Sequence, residues 1–90
     1  MIMDKRQIIS FINYPDRGLV EFAVNRANLT APEWECVKAR EFDGETVEHL
    51  ADRLQLSDTT IKRRYSSAMQ KLDVCFSAIP WVDKISRFKQ

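Results

Sequence analysis

Ninety residues are enough for one small domain with a modest core, and an apolar share of 44% with 30% charged residues is that of an ordinary globular protein. No apolar run approaches the roughly 20 residues of a membrane span, and the two cysteines are too few and too far apart for a disulfide framework or a CxxC zinc site. A formal charge of +1 offers no bulk attraction to nucleic acid, so the distribution of charge has to carry that argument.

Strand signals are nearly absent, and the chain is expected to be all-α, with about five to six helices. Residues 3–12 place Ile8, Ile9 and Ile12 near one side and predict a first helix. Asn13-Tyr14-Pro15-Asp16 is a turn, and Asp16 is a candidate N-cap. A second helix follows to about Asn28, with Leu19, Phe22 and Ala23 on one face.

Thr30-Ala31-Pro32-Glu33 is a helix start with a cap, a proline in the first turn and a capping-box glutamate. The third helix is expected to reach about Phe42, with Trp34, Val37 and, at its end, Phe42 turned inward. Gly44 is a natural stop. Cys36 and Cys75 read as small buried hydrophobes in a reducing compartment.

Thr46 is expected to cap a short fourth helix carrying Val47, Leu50, Ala51 and Leu54. Gln55-Leu56 makes a tight turn, and Ser57 caps the fifth helix. Gln55 stands where glycine is common, so mild left-handed strain is expected there. In the fifth helix Ile61, Tyr65, Ala68 and Leu72 form a single apolar stripe, and the helix extends towards Phe76. Pro80 either breaks it or opens a sixth helix, in which Trp81, Ile85 and Phe88 share a face. One domain is expected over 1–90: a helical extension over 1–28, a core over 29–76 that contains the two helices and their tight turn, and a last helix over 77–90.

Charge separates along the chain. From Ser57 to Leu72 stand Lys62, Arg63, Arg64 and Lys71 against Asp58 alone. Residues 32–48 hold Lys38 and Arg40 against Glu33, Glu35, Glu41, Asp43, Glu45 and Glu48. One helix is basic and its upstream neighbour acidic, which points one face towards phosphates.

With the stripe turned to the core, a step of about 100° per residue directs Thr59, Arg63, Ser66, Ser67 and Gln70 outward, with Lys62 and Arg64 on the flanks. Two helices, a short turn and a capped basic second helix are the pattern of a helix-turn-helix, whose second helix enters the major groove of duplex DNA. Arg63 suits a two-bond contact to guanine, and Thr59 a base edge or thymine methyl. Lys62, Arg64, Ser57 and Thr60 suit phosphates, which set register rather than sequence.

These residues also resemble a family. Residues 29–72 look like region four of bacterial sigma factors and the related LuxR-type domains. The pattern is Leu29-Thr30, Glu33, Val37, Gly44, Glu48, Leu50-Ala51, Leu54, Leu56-Ser57, Thr60-Ile61-Lys62, Ala68 and Lys71-Leu72. The resemblance implies promoter or operator reading by Asp58, Thr59, Lys62 and Arg63. Ninety residues leave no room for the sigma region that melts promoter DNA. The expectation is therefore a small transcriptional regulator, of the sort phages and mobile elements encode, or a sigma-like fragment.

No nucleophile–base motif, glycine-rich phosphate loop or metal-ligand pairing is present, so no catalysis, cofactor or metal is expected. His49, the single histidine, reads as a surface residue. Trp81, Val82, Ile85 and Phe88 either fold back onto the first helices or form an interface between two copies. Acidic Glu33, Glu35 and Glu41 either face solvent or meet a basic partner such as RNA polymerase. Two other functions stay open: a module binding polymerase or a sigma factor, and an accessory protein of phage DNA packaging or recombination. The first residues lack a signal-peptide apolar stretch, which makes the cytoplasm the expected location.

Overall fold

The first helix, α1 (Lys5–Ile12), exists because its apolar residues recur at helical spacing: Ile8, Phe11 and Ile12 are buried. It belongs to a computed structural model that describes residues 5–82. The described residues form helices joined by turns, with no strand among them. The helix-rich, all-α class read from the sequence is thus what the structure has.

The second helix, α2 (Arg17–Asn25), starts at Asp16, whose carboxylate accepts the Leu19 N–H at 3.2 Å. Its buried face is Val20, Ala23 and Val24, not the Leu19–Phe22–Ala23 face expected from the sequence. The i, i+3, i+4 stripe begins one residue later. That turns Phe22 outward to 52% exposure, where Arg26 lies over its ring at 5.4 Å. The helix also ends earlier than expected, and Asn28 closes the following turn with φ of 56°.

The third helix, α3 (Ala31–Glu41), has the full capping box. Thr30 accepts from the Glu33 N–H at 3.2 Å, and Glu33 accepts from the Thr30 N–H at 2.9 Å. Cys36, Val37 and Ala39 are buried on its inner face. Phe42 does not turn inward as expected. It is 38% exposed and meets Trp34 edge-on at 6.2 Å, so the two aromatics shield each other beside the core rather than fill it. Gly44, at φ of 70°, reverses the chain after the helix.

The fourth helix is α4 (Val47–Leu54) and the fifth α5 (Asp58–Ser77). A further helix opens at Pro80. The residues group into two compact units. One is Thr30–Ala68. There Cys36, Ala39, Leu50, Ala51 and Ile61 form a buried cluster, with Val47, Leu54 and Leu56 packed against it. Ala51 is the small residue that α4 contributes to this cluster.

The other unit draws on Met1–Leu29 and Met69–Gln90. Leu72, Phe76 and Val82 are buried in it with the inner residues of α1 and α2. Phe11 is its aromatic centre, edge-on to Phe76 at 5.0 Å and to Trp81 at 6.0 Å. The Cys75 thiol donates to the Ala23 carbonyl at 3.6 Å.

Candidate nucleic-acid interface

The interface is built from the turn outward. Thr46 caps α4 by accepting the His49 N–H at 3.0 Å. At the other end Gln55 adopts the left-handed conformation, φ 57° and ψ 46°. Its N–H reaches the Asp52 carbonyl at 3.2 Å, and the Leu56 N–H reaches that of Ala51 at 2.9 Å. This is a Schellman motif with its usual apolar contact, because Leu56 packs on the Ala51 cluster.

Gln55 holds the conformation that glycine adopts freely. Gln55→Gly should remove about 1–2 kcal/mol of left-handed strain and give back roughly 0.5–1 kcal/mol in backbone entropy. The expected result is a denaturant midpoint that rises slightly at unchanged m. A lower midpoint would mean that Gln55 makes a compensating contact.

Ser57 opens α5. Its hydroxyl accepts the Thr60 N–H at 3.1 Å and lies 2.9 Å from the Thr60 hydroxyl, while the Ile61 N–H bonds its carbonyl at 3.1 Å. Part of the hydrogen-bonding capacity of both hydroxyls is spent on the cap. Ile61, Ala68 and Leu72 are buried, and Tyr65 is partly buried at the edge of the stripe.

The opposite side of α5 is open to solvent. Asp58, Thr59, Lys62, Arg63, Ser66 and Gln70 are exposed. Thr60, Arg64 and Ser67 are partly buried. Among the described residues, neither Lys62 nor Arg63 takes part in an ion pair.

Arg53 provides the contrast. Its guanidinium holds the Glu45 carboxylate through two bonds, at 2.7 and 3.0 Å, and reaches Glu35 at 3.3 Å. The two carboxylates hold the Arg53 guanidinium well above its ordinary range. In return, the hydrogen bond from Arg53 holds the Glu45 carboxyl below the usual carboxylate range. His49 is exposed, as expected, with Nδ1 3.2 Å from Glu45.

The depressed Glu45 pKa fixes a pH dependence. The carboxyl binds its proton more weakly folded than unfolded, so its contribution is full above the unfolded value. That contribution is lost as pH falls through the lower folded value. The thermal midpoint should therefore fall on acidification from about pH 6 to pH 3, and fall less in Glu45→Gln. Parallel acid profiles for the two proteins would disprove it.

Ser67 was expected to point away from the protein. Its hydroxyl instead donates to Glu33 at 2.7 Å, and Glu33 is only 8% exposed. The Tyr65 hydroxyl donates to Glu41, and Arg40 lies over the Tyr65 ring at 5.8 Å. Burial, reinforced by the Glu41 carboxylate, pushes the Tyr65 phenol well above its ordinary range and keeps it a neutral donor. Burial likewise pushes the Cys36 thiol up. The capping box marked only the local role of Glu33. A hydroxyl-bearing ring at the edge of an apolar stripe was the one sign of the Tyr65 contact.

The acidic helix is thus largely occupied within the chain. Glu33 serves Thr30 and Ser67, Glu41 serves Tyr65, and Glu35 serves Arg53. Of the residues considered for an interface between copies, Val82 is buried within the chain. Trp81 is partly covered, meeting Phe11 edge-on and lying 6.3 Å from Phe22. Ile85 and Phe88 lie outside the described residues.

A family model for sigma-70 region 4 matches residues 27–73. The chain belongs to the sigma-70 region 4 family. No curated protein and no solved structure matches it. The region 4 match takes in α3, α4, the Gln55 turn and α5 as far as Asp73. This is a DNA-binding helix-turn-helix domain, with α5 as its second helix. No described helix is long and apolar enough to cross a membrane, and no described group of His, Cys, Asp and Glu is placed to hold a metal.

Proposed function

We propose that this region 4 protein is a transcriptional regulator that reads a specific site on duplex DNA through the start of α5. The observation that carries the reading is the pair Lys62 and Arg63, exposed and held in no ion pair on a capped helix, while Arg53 nearby in sequence is tied to two carboxylates. Cations kept out of internal pairs remain available to phosphates and bases.

In this reading Arg63 and Thr59 address base edges, and Lys62 and Arg64 address phosphates flanking the groove. Asp58, Ser66 and Gln70 border the contact. Ser57 and Thr60 set the helix start and offer hydroxyls to the backbone. Ser67 serves the protein rather than the DNA. Regulation follows from occupying a site that polymerase uses or avoids.

Selection of bound sites from a random duplex pool tests this, with binding to one selected and one random duplex followed across salt. A recovered consensus, with log affinity falling linearly against log salt, is the expected result. Loss of duplex binding at low salt would overturn it and favour a module that docks on polymerase or another protein. A palindromic consensus bound by two chains would add a dimer to the reading.

A further inference from the structure

The bonds Tyr65–Glu41 and Ser67–Glu33 do more than satisfy polar groups. Both run from α5 to α3 within the unit Thr30–Ala68. Tyr65 and Ser67 are two positions apart, so at about 100° per residue they project on opposite flanks of α5. One anchor resists rotation of the helix in one direction, and the second resists rotation in the other. Between them the buried side chains Ile61 and Ala68 supply contact, but apolar contacts are non-directional and define angle less sharply than hydrogen bonds do.

Angular definition matters to a reader of bases. Side chains reach about 5–6 Å from a helix axis, so a rotation of about 20° moves their tips by roughly 2 Å. A hydrogen bond tolerates only about half an ångström between good and poor geometry. Phosphate contacts by long flexible lysines tolerate the same rotation. Losing the anchors should therefore cost sequence preference before it costs affinity for DNA in general.

We propose that Glu41 and Glu33 are positioning residues for DNA reading: acting through Tyr65 and Ser67, they set the rotation of α5 and hence which base Arg63 meets. The proposal rests on the DNA-reading function proposed above. It assigns Glu33 and Glu41 a role in specificity that requires no contact with DNA.

The test measures affinity for a selected site and for a random duplex of equal length, for wild type, Tyr65→Phe, Ser67→Ala, Glu41→Leu and Glu41→Gln. Tyr65→Phe keeps the ring in place and Ser67→Ala alters one partly exposed hydroxyl, so both should remain folded by circular dichroism. The preference for the site should fall on the order of tenfold in Tyr65→Phe and in Glu41→Leu, with random-duplex affinity within about twofold of wild type. Ser67→Ala should lower it in the same sense. Glu41→Gln retains an acceptor oxygen and should recover most of the preference.

Full preference in both Tyr65→Phe and Ser67→Ala would overturn the proposal and leave the DNA-reading function standing. A wild-type chain without any preference would overturn both. Equal loss on specific and random DNA would also overturn it, since that outcome marks a general weakening rather than a change of angle.

Discussion

Ile61→Ala is expected to destabilise the protein by about 2–5 kcal/mol, a large part of the stability of a small domain. Ile61 is 0% exposed and packs with Cys36, Ala39, Leu50 and Ala51, so truncation opens a cavity where three helices meet. The cost within that range is set by how far Leu50, the largest of these neighbours, relaxes into the space. Chemical denaturation reads it as a lower midpoint, and Val74→Ala, at a position 71% exposed, is the control with almost no shift. A change below about half a kcal/mol for Ile61→Ala would mean that this face of α5 is not the buried one.

The second large effect is on binding. Arg63→Ala should cost on the order of 1–3 kcal/mol at the selected site and relax the preference at one base pair. Lys62→Ala should weaken every sequence by a similar factor and lower the slope of log affinity against log salt by about one. The two residues are adjacent and both exposed, so the difference expected between them comes from the roughly 100° that separates them on the helix. Titrations on specific and random duplexes, each at several salt concentrations, separate the two behaviours. Uniform loss on both duplexes for Arg63→Ala would remove it from the bases.

Much of this architecture was legible in the residues because local rules and global pattern agreed. Thr30 with Glu33, Asp16 and Thr46 announced helix starts, and Gly44 and Gln55 the reversals after helices. The stripe through α5 identified the buried face and, by exclusion, the exposed one. Two kinds of feature were not legible. In α2 the apolar residues Leu19, Val20, Phe22, Ala23 and Val24 are so dense that two faces fit the helical period, and only tertiary packing chose between them. The carboxylate anchors of Tyr65 and Ser67 join residues 24 and 34 positions apart, a separation beyond any periodic signal. Reading the acidic run as a solvated or docking face was reasonable from charge alone. The structure engages Glu33, Glu35, Glu41 and Glu45 of that run in contacts within the chain.

Glu33 carries a consequence for the folding path. One of its oxygens closes a contact three residues long, with Thr30, and the other closes one 34 residues long, with Ser67. The first costs little loop entropy and is available to a nascent α3 in isolation. The second must wait until the chain between has condensed. A single carboxylate therefore samples both ends of the reaction coordinate. Thr30→Ala, which removes the hydroxyl half of the capping box, is expected to act mainly on the refolding limb of a chevron plot and Ser67→Ala mainly on the unfolding limb, so the two variants would time the nucleation of α3 against its docking on α5.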